Sequence, residues 1–69
     1  MLDFKRHEKT GWLMAEGKNG QYWIDDHHAW TYLKVVEYTI NGPEVEGIGG
    51  SFFENDEAIK AAEAIEAQL

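Results

Sequence analysis

The chain has 69 residues, with three Trp, three Tyr and three Phe, no cysteine, and a formal net charge of -7. A chain of this length makes one domain, residues 1–69, and buries only about 60% of the surface its unfolded form exposes. Without cysteines, disulfides and thiolate zinc sites are excluded, so the remaining sources of reinforcement are aromatic packing and association with a second copy.

The first residues, Met1-Leu2-Asp3-Phe4-Lys5-Arg6-His7, turn charged at once and offer no apolar stretch of the secretory kind. No segment approaches the roughly 18 apolar residues that span a bilayer. A cytoplasmic chain with no membrane partner is expected. Leu2 to Glu8 alternates weakly enough to suggest an edge strand. Its basic cluster, Lys5-Arg6-His7-Glu8-Lys9, is short and contains an acid, so it reads as a solvated edge rather than a nucleic-acid arm.

Gly11 to Glu16 is the first clear strand. Gly17-Lys18-Asn19-Gly20 is expected to turn the chain, because Gly and Asn tolerate positive φ, and Gln21 to Asp25 returns as a second strand. Asp26-His27-His28 connects it to the longest β signal, Ala29 to Ile40, rich in β-branched and aromatic residues. Asn41-Gly42-Pro43-Glu44 ends that run, since proline has no amide to donate. Glu44 to Phe53 forms a fourth strand in which Gly47, Gly49 and Gly50 predict a bulge, a bend or a close approach by a helix.

The last segment is a helix capped by Asn55 or Glu54, with Asp56 and Glu57 favourable at the positive end of its dipole. At 100° per residue, Ala58, Ala62, Ile65 and Leu69 share one side, with Ile59 and Ala61 at its margins. Glu57, Lys60, Glu63 and Glu66 lie outside that side or at its border. The expected fold is α+β: an antiparallel β-meander of three to five strands packed on one C-terminal α-helix.

One helix cannot cover both faces of such a sheet. About fourteen residues span roughly 21 Å. Alternation along the long strand places Trp30, Tyr32, Lys34, Val36, Tyr38 and Ile40 on one face, and Thr31, Leu33, Val35, Glu37 and Thr39 on the other. In the first hairpin Trp12 and Met14 oppose Leu13 and Ala15, while Trp23 opposes Tyr22 and Ile24. Neither face is plainly polar. Trp12, Trp23, Trp30, Tyr32 and Tyr38 are therefore candidate interface residues for a partner or a homodimer. The competing expectation is that sheet twist, with Leu2 and Phe4, covers the second face within one chain.

Charge divides the chain. Residues 1–36 hold five acids against five bases, whereas residues 37–69 hold eight acids against Lys60 alone, so the second half carries the whole net charge of -7. The eight are Glu37, Glu44, Glu46, Glu54, Asp56, Glu57, Glu63 and Glu66. They repel phosphate, which argues against direct nucleic-acid binding and for a basic protein partner. The plainer alternative is that acidity keeps a small domain soluble.

Little in the chain suggests catalysis. Asp25-Asp26-His27-His28 is the one cluster with metal-ligand chemistry, and His7 offers a third ligand. In an extended stretch, however, His27 and His28 point apart, leaving Asp25 to pair with His27 or Asp26 with His28. A polar loop with solvated histidines is expected, and no metal or cofactor. Gly47-Ile48-Gly49-Gly50-Ser51 lacks the Gly-Lys-Ser/Thr ending of a phosphate loop, and Glu54, Asp56 and Glu57 follow it. Ser51 has no nucleophile-elbow context. No catalytic residue is assigned.

In its short, cysteine-free, acidic and aromatic-rich composition the chain resembles the small inhibitors encoded by bacteriophages, among them anti-CRISPR proteins and nucleic-acid mimics. The matching residues are Glu44, Glu46, Glu54, Asp56, Glu57, Glu63 and Glu66. The resemblance implies a non-catalytic inhibitor in a host cytoplasm, docking carboxylates on a basic, nucleic-acid-handling protein. The strand-to-helix run Phe52-Phe53-Glu54-Asn55-Asp56-Glu57-Ala58-Ile59 is similar to small antitoxin-like domains. That likeness implies instead a homodimeric interaction module working through the aromatic face.

Overall fold

The computed structural model describes residues 2–37 and 45–69, and of residues 45–48 the backbone alone. In chain order the elements are β1 (Lys5–Arg6), β2 (Leu13–Glu16), β3 (Gly20–Asp25), β4 (Thr31–Glu37), β5 (Val45–Phe52) and α1 (Asn55–Ala67). The expected turn at Asn41 to Glu44 and the expected strand residues Tyr38, Thr39 and Ile40 lie outside the described residues. The strands form one antiparallel sheet in the order β1-β2-β3-β4-β5. α1 packs against β3, β4 and β5, which gives the expected two-layer α+β architecture.

Alternation along the strands decides which side chains meet the helix. Tyr22, Ile24 and Leu33 turn toward it and are buried with Ala58 and Ala62, and Ala15, beside Tyr22, is buried as well. Leu13, Val35, Phe52, Ile59 and Ile65 pack around them. The alanines bring the helix close to the sheet. They also keep the core thin, since Ile24 and Leu33 are the largest side chains that are completely enclosed. Leu69, expected on the buried side, lies beyond the helix and is 54% exposed.

The Gly17–Gly20 turn closes with the Gly17 amide donating to the Gly20 carbonyl at 2.8 Å. It does so without positive φ, which among the described residues occurs only at Gly11 and Gly50. Space is what requires glycine here: a Cβ on Gly17 would lie 2.5 Å from the Tyr22 ring and 2.6 Å from the Glu66 carboxylate. The glycines of β5 fulfil the bulge expectation. Leu33 faces Gly50 while Lys34 faces Ile48, so the register shifts by one residue around Gly49.

Two polar clamps fix the helix to the sheet. At its C-terminal end Glu66 accepts hydrogen bonds from the Lys18 amide at 2.9 and 3.1 Å and from the Tyr22 hydroxyl at 3.1 Å. At its N-terminal end Arg6 donates to both oxygens of Asp26, and Asn55 Nδ2 donates to Asp26 at 2.9 Å. Thr31 Oγ1 then donates to Asn55 Oδ1. Glu54 occupies the N-cap position without a side-chain cap, and Asn55 is spent on this network instead.

Both clamps are linked to protonation. The Arg6 guanidinium, then the Asn55 amide, hold the Asp26 carboxyl below its ordinary range. Its contribution to stability is therefore present above the ordinary carboxylate range and fades as pH falls through the lowered value. Burial, then the Glu66 hydrogen bond, pushes the Tyr22 phenol up to about 12. A raised value means the phenol stabilises the fold fully below about pH 10, the unfolded tyrosine value, and loses that contribution as pH rises to about 12. Urea midpoints measured across this window should fall for the native chain and stay nearly level for Tyr22→Phe. A parallel decline in both proteins would show that Tyr22 is not the responsible group.

Candidate functional site

The helix-covered face leaves two surfaces for recognition. The first is the outer flank of α1. Asp56, Lys60, Glu63 and Ala67 project away from the buried Ala58–Ala62 line, with Glu57 and Ala64 beside them. Glu54, Asp56 and Glu57 are exposed, and Glu63 is half-buried. Lys60 is the only base in the helix.

Among the described residues the candidate acids do not form one patch. Glu54, Asp56 and Glu57 gather at the start of α1, while Glu63 and Glu66 stand near its other end. There they line, with Leu2, Glu16, Gly17, Lys18 and Ala67, a groove of about 640 Å³. Glu66 is engaged by Lys18 and Tyr22 within the chain. Its position at the border of the apolar stripe was readable from periodicity, but its partners 44 and 48 residues away were not. Glu37 is exposed at the end of β4, and Glu46 lies in β5 at the register position opposite Val36. Glu44 lies outside the described residues.

The second surface is the sheet face opposite α1. Met14, Trp23 and Lys34 stand side by side across β2, β3 and β4, with Lys5 beside Met14 at the edge. Trp12 meets Trp23 edge-on at 6.4 Å between ring centroids, and His7 meets Trp23 at 5.0 Å. Lys34 Nζ lies 4.2 Å above the Trp12 ring, a cation–π contact. Trp23 Nε1 donates to Gln21, whose amide donates to Glu16. Tyr32 lies on the same face, touched edge-on by His28. Beyond it, Trp30 and Phe53 pack against each other at 4.5 Å while remaining 45% and 73% exposed. Tyr38 lies outside the described residues.

Sequence reasoning named Trp12, Trp23, Trp30 and Tyr32 but missed the cationic element within them. The clue was present, since Lys34 alternates in phase with Tyr32 and Val36. Leu2 and Phe4 do not cover this face. They pack on the helix side, against the buried cluster.

The histidines pair differently from expectation. His27 Nε2 lies 3.7 Å from Asp26, and His28 Nε2 lies 3.4 Å from Asp25. The His27 amide donates to Asp25 Oδ1 at 3.2 Å, so the chain turns at this point and reverses the pairing that an extended segment would give. His7 is at Trp23 rather than with them. Among the described residues no group of three or more His, Cys, Asp or Glu is arranged to hold a metal ion. Among the same residues no helix is long and apolar enough to cross a membrane. No protein-family profile, curated protein or solved structure matches the chain.

Proposed function

We propose that this protein is a non-catalytic inhibitor that docks an acidic surface on a basic, nucleic-acid-handling protein and blocks it. The observation that carries the reading is the charge layout: the entire net charge of -7 lies in residues 37–69. Within that half, Asp56, Glu57 and Glu63 surround a single lysine on the outer flank of α1. Carboxylates held on a rigid helix steer a basic partner and compete with phosphate for the same surface. Each of these acids is three or four residues from Lys60, and Asp56 and Glu63 are seven residues apart, about 10 Å along the axis, so the helix holds its negative charges at fixed spacing on either side of that lysine.

The test is a binding titration against a purified basic partner obtained by capture at low salt. The triple variant Asp56→Lys, Glu57→Lys, Glu63→Lys should lose at least tenfold in affinity, and native binding should weaken steeply between low and high salt. A single-stranded oligonucleotide should displace the inhibitor. Salt-independent association, or indifference to the triple reversal, would contradict the reading.

A further inference from the structure

We propose that the open face of the sheet is the contact surface of a symmetric homodimer, a property separate from the acidic docking proposed above. Met14, Trp23 and Val36 are only half-buried in the middle of this face, because α1 lies on the opposite side and Leu2 and Phe4 join the core there. A chain this small, with Ile24 and Leu33 as its largest fully enclosed side chains, gains most from burying a second layer.

Charge and area identify the occupant as another copy. Two adjacent rows cross the face. One is cationic, running Lys5, Met14, Trp23, Lys34; the next runs Glu16, Gln21, Val36. A two-fold axis in the plane of the sheet, crossing the strands between these rows, lays each row of one protomer on the other row of its partner. Lys5 of each protomer then comes close to the partner's Glu16, with Trp23 near the centre. Lys34 suits this arrangement, since its ammonium sits on Trp12 and makes no ion pair among the described residues. The molecule measures 36 × 27 × 19 Å, and its broad face has room for the roughly 800 Å² per partner of a standard interface. The isologous contact closes on itself and leaves both acidic helices facing outward.

Sedimentation equilibrium over a wide concentration range decides the matter. The native chain, 7.9 kDa as a monomer, should sediment at twice that mass. Trp23→Ser and Lys34→Glu should each weaken the dimer at least tenfold while circular dichroism stays native. Lys34→Glu removes no apolar ring, so it remains informative where Trp23→Ser fails to fold. Lys5→Glu and Glu16→Lys should each weaken the dimer, and together restore it. A monomer at every concentration overturns the proposal. So does a dimer that survives Trp23→Ser and Lys34→Glu, or a failure of the charge swap to restore it. Saturable tryptophan quenching by a single-stranded oligonucleotide, with loss of the dimer, would assign the face to nucleic acid instead.

Discussion

Leu33→Ala is expected to remove about 2–5 kcal/mol of stability, the usual range for a leucine truncated in a core. Leu33 is completely enclosed, at 0% exposure, between the middle of β4 and the buried face of α1. Its buried neighbours Ala58 and Ala62 are too short to fill the cavity, and Tyr22 is held by its hydrogen bond to Glu66. Small domains are stable by about 0.05–0.15 kcal/mol per residue, so this one change takes a large share of the whole. At about 4–8 °C per kcal/mol for a domain of this size, the melting temperature should fall by roughly 8–40 °C. Leu69→Ala is the matched control. Leu69 is 54% exposed, and its truncation should change stability by no more than about 0.5 kcal/mol. Comparable losses at the two positions would show that the core is not where the fold places it.

Gly20→Ala is expected to be nearly as severe, for a different reason. A methyl group at Gly20 would fall inside the envelope of the Val36 carbonyl oxygen and 2.9 Å from the Glu37 Cα. Both obstacles are backbone, so no rotamer change relieves the overlap. The β3–β4 ladder would have to part at its Gly20–Glu37 end. Overpacking of this kind costs about 1–3 kcal/mol, and more where strands must separate. Chemical denaturation and amide exchange of Gln21 and Tyr22 would report it. A variant with native stability would mean that the strands approach less closely there than the backbone positions indicate.

The fold was largely legible because each element carries its own period. The two-residue alternation of Trp12 to Glu16 and of Thr31 to Glu37, and the three-to-four spacing of Ala58, Ala62 and Ile65, each identify one element and its buried side. Glycine signals gave the hairpin turn and the β5 bulge, although Gly17 and Gly20 answer a need for space rather than for positive φ. What stayed hidden were side-chain partnerships between residues far apart in sequence. Glu66 reads as one more surface acid, yet it clamps the helix to the Gly17–Gly20 turn. Asp25 and Asp26 read as possible ligands. One orders the loop after β3, and the other joins Arg6 to Asn55. Local pattern cannot specify such contacts, because the three-dimensional path of the chain creates them.

The same distinction applies to the interaction surfaces. Alternation separated the aromatic face from the core face and anticipated that one helix would leave a face open. It did not show that Lys34 sits on Trp12, or that Glu37, Glu54, Asp56, Glu57, Glu63 and Glu66 divide between the two ends of α1 and the end of β4. The acidic character of the second half is a matter of composition, and its use by a partner depends on that arrangement.

Carboxylate footprinting of the complex with a basic partner addresses the central claim most directly, since it reports each acid separately in the native chain. Asp56, Glu57 and Glu63 should lose labelling by a carbodiimide–amine probe on binding, while Asp3, at the far edge of the sheet beside Lys5, keeps its free-state labelling. Unchanged labelling at all three helix acids in a saturated complex would contradict the account.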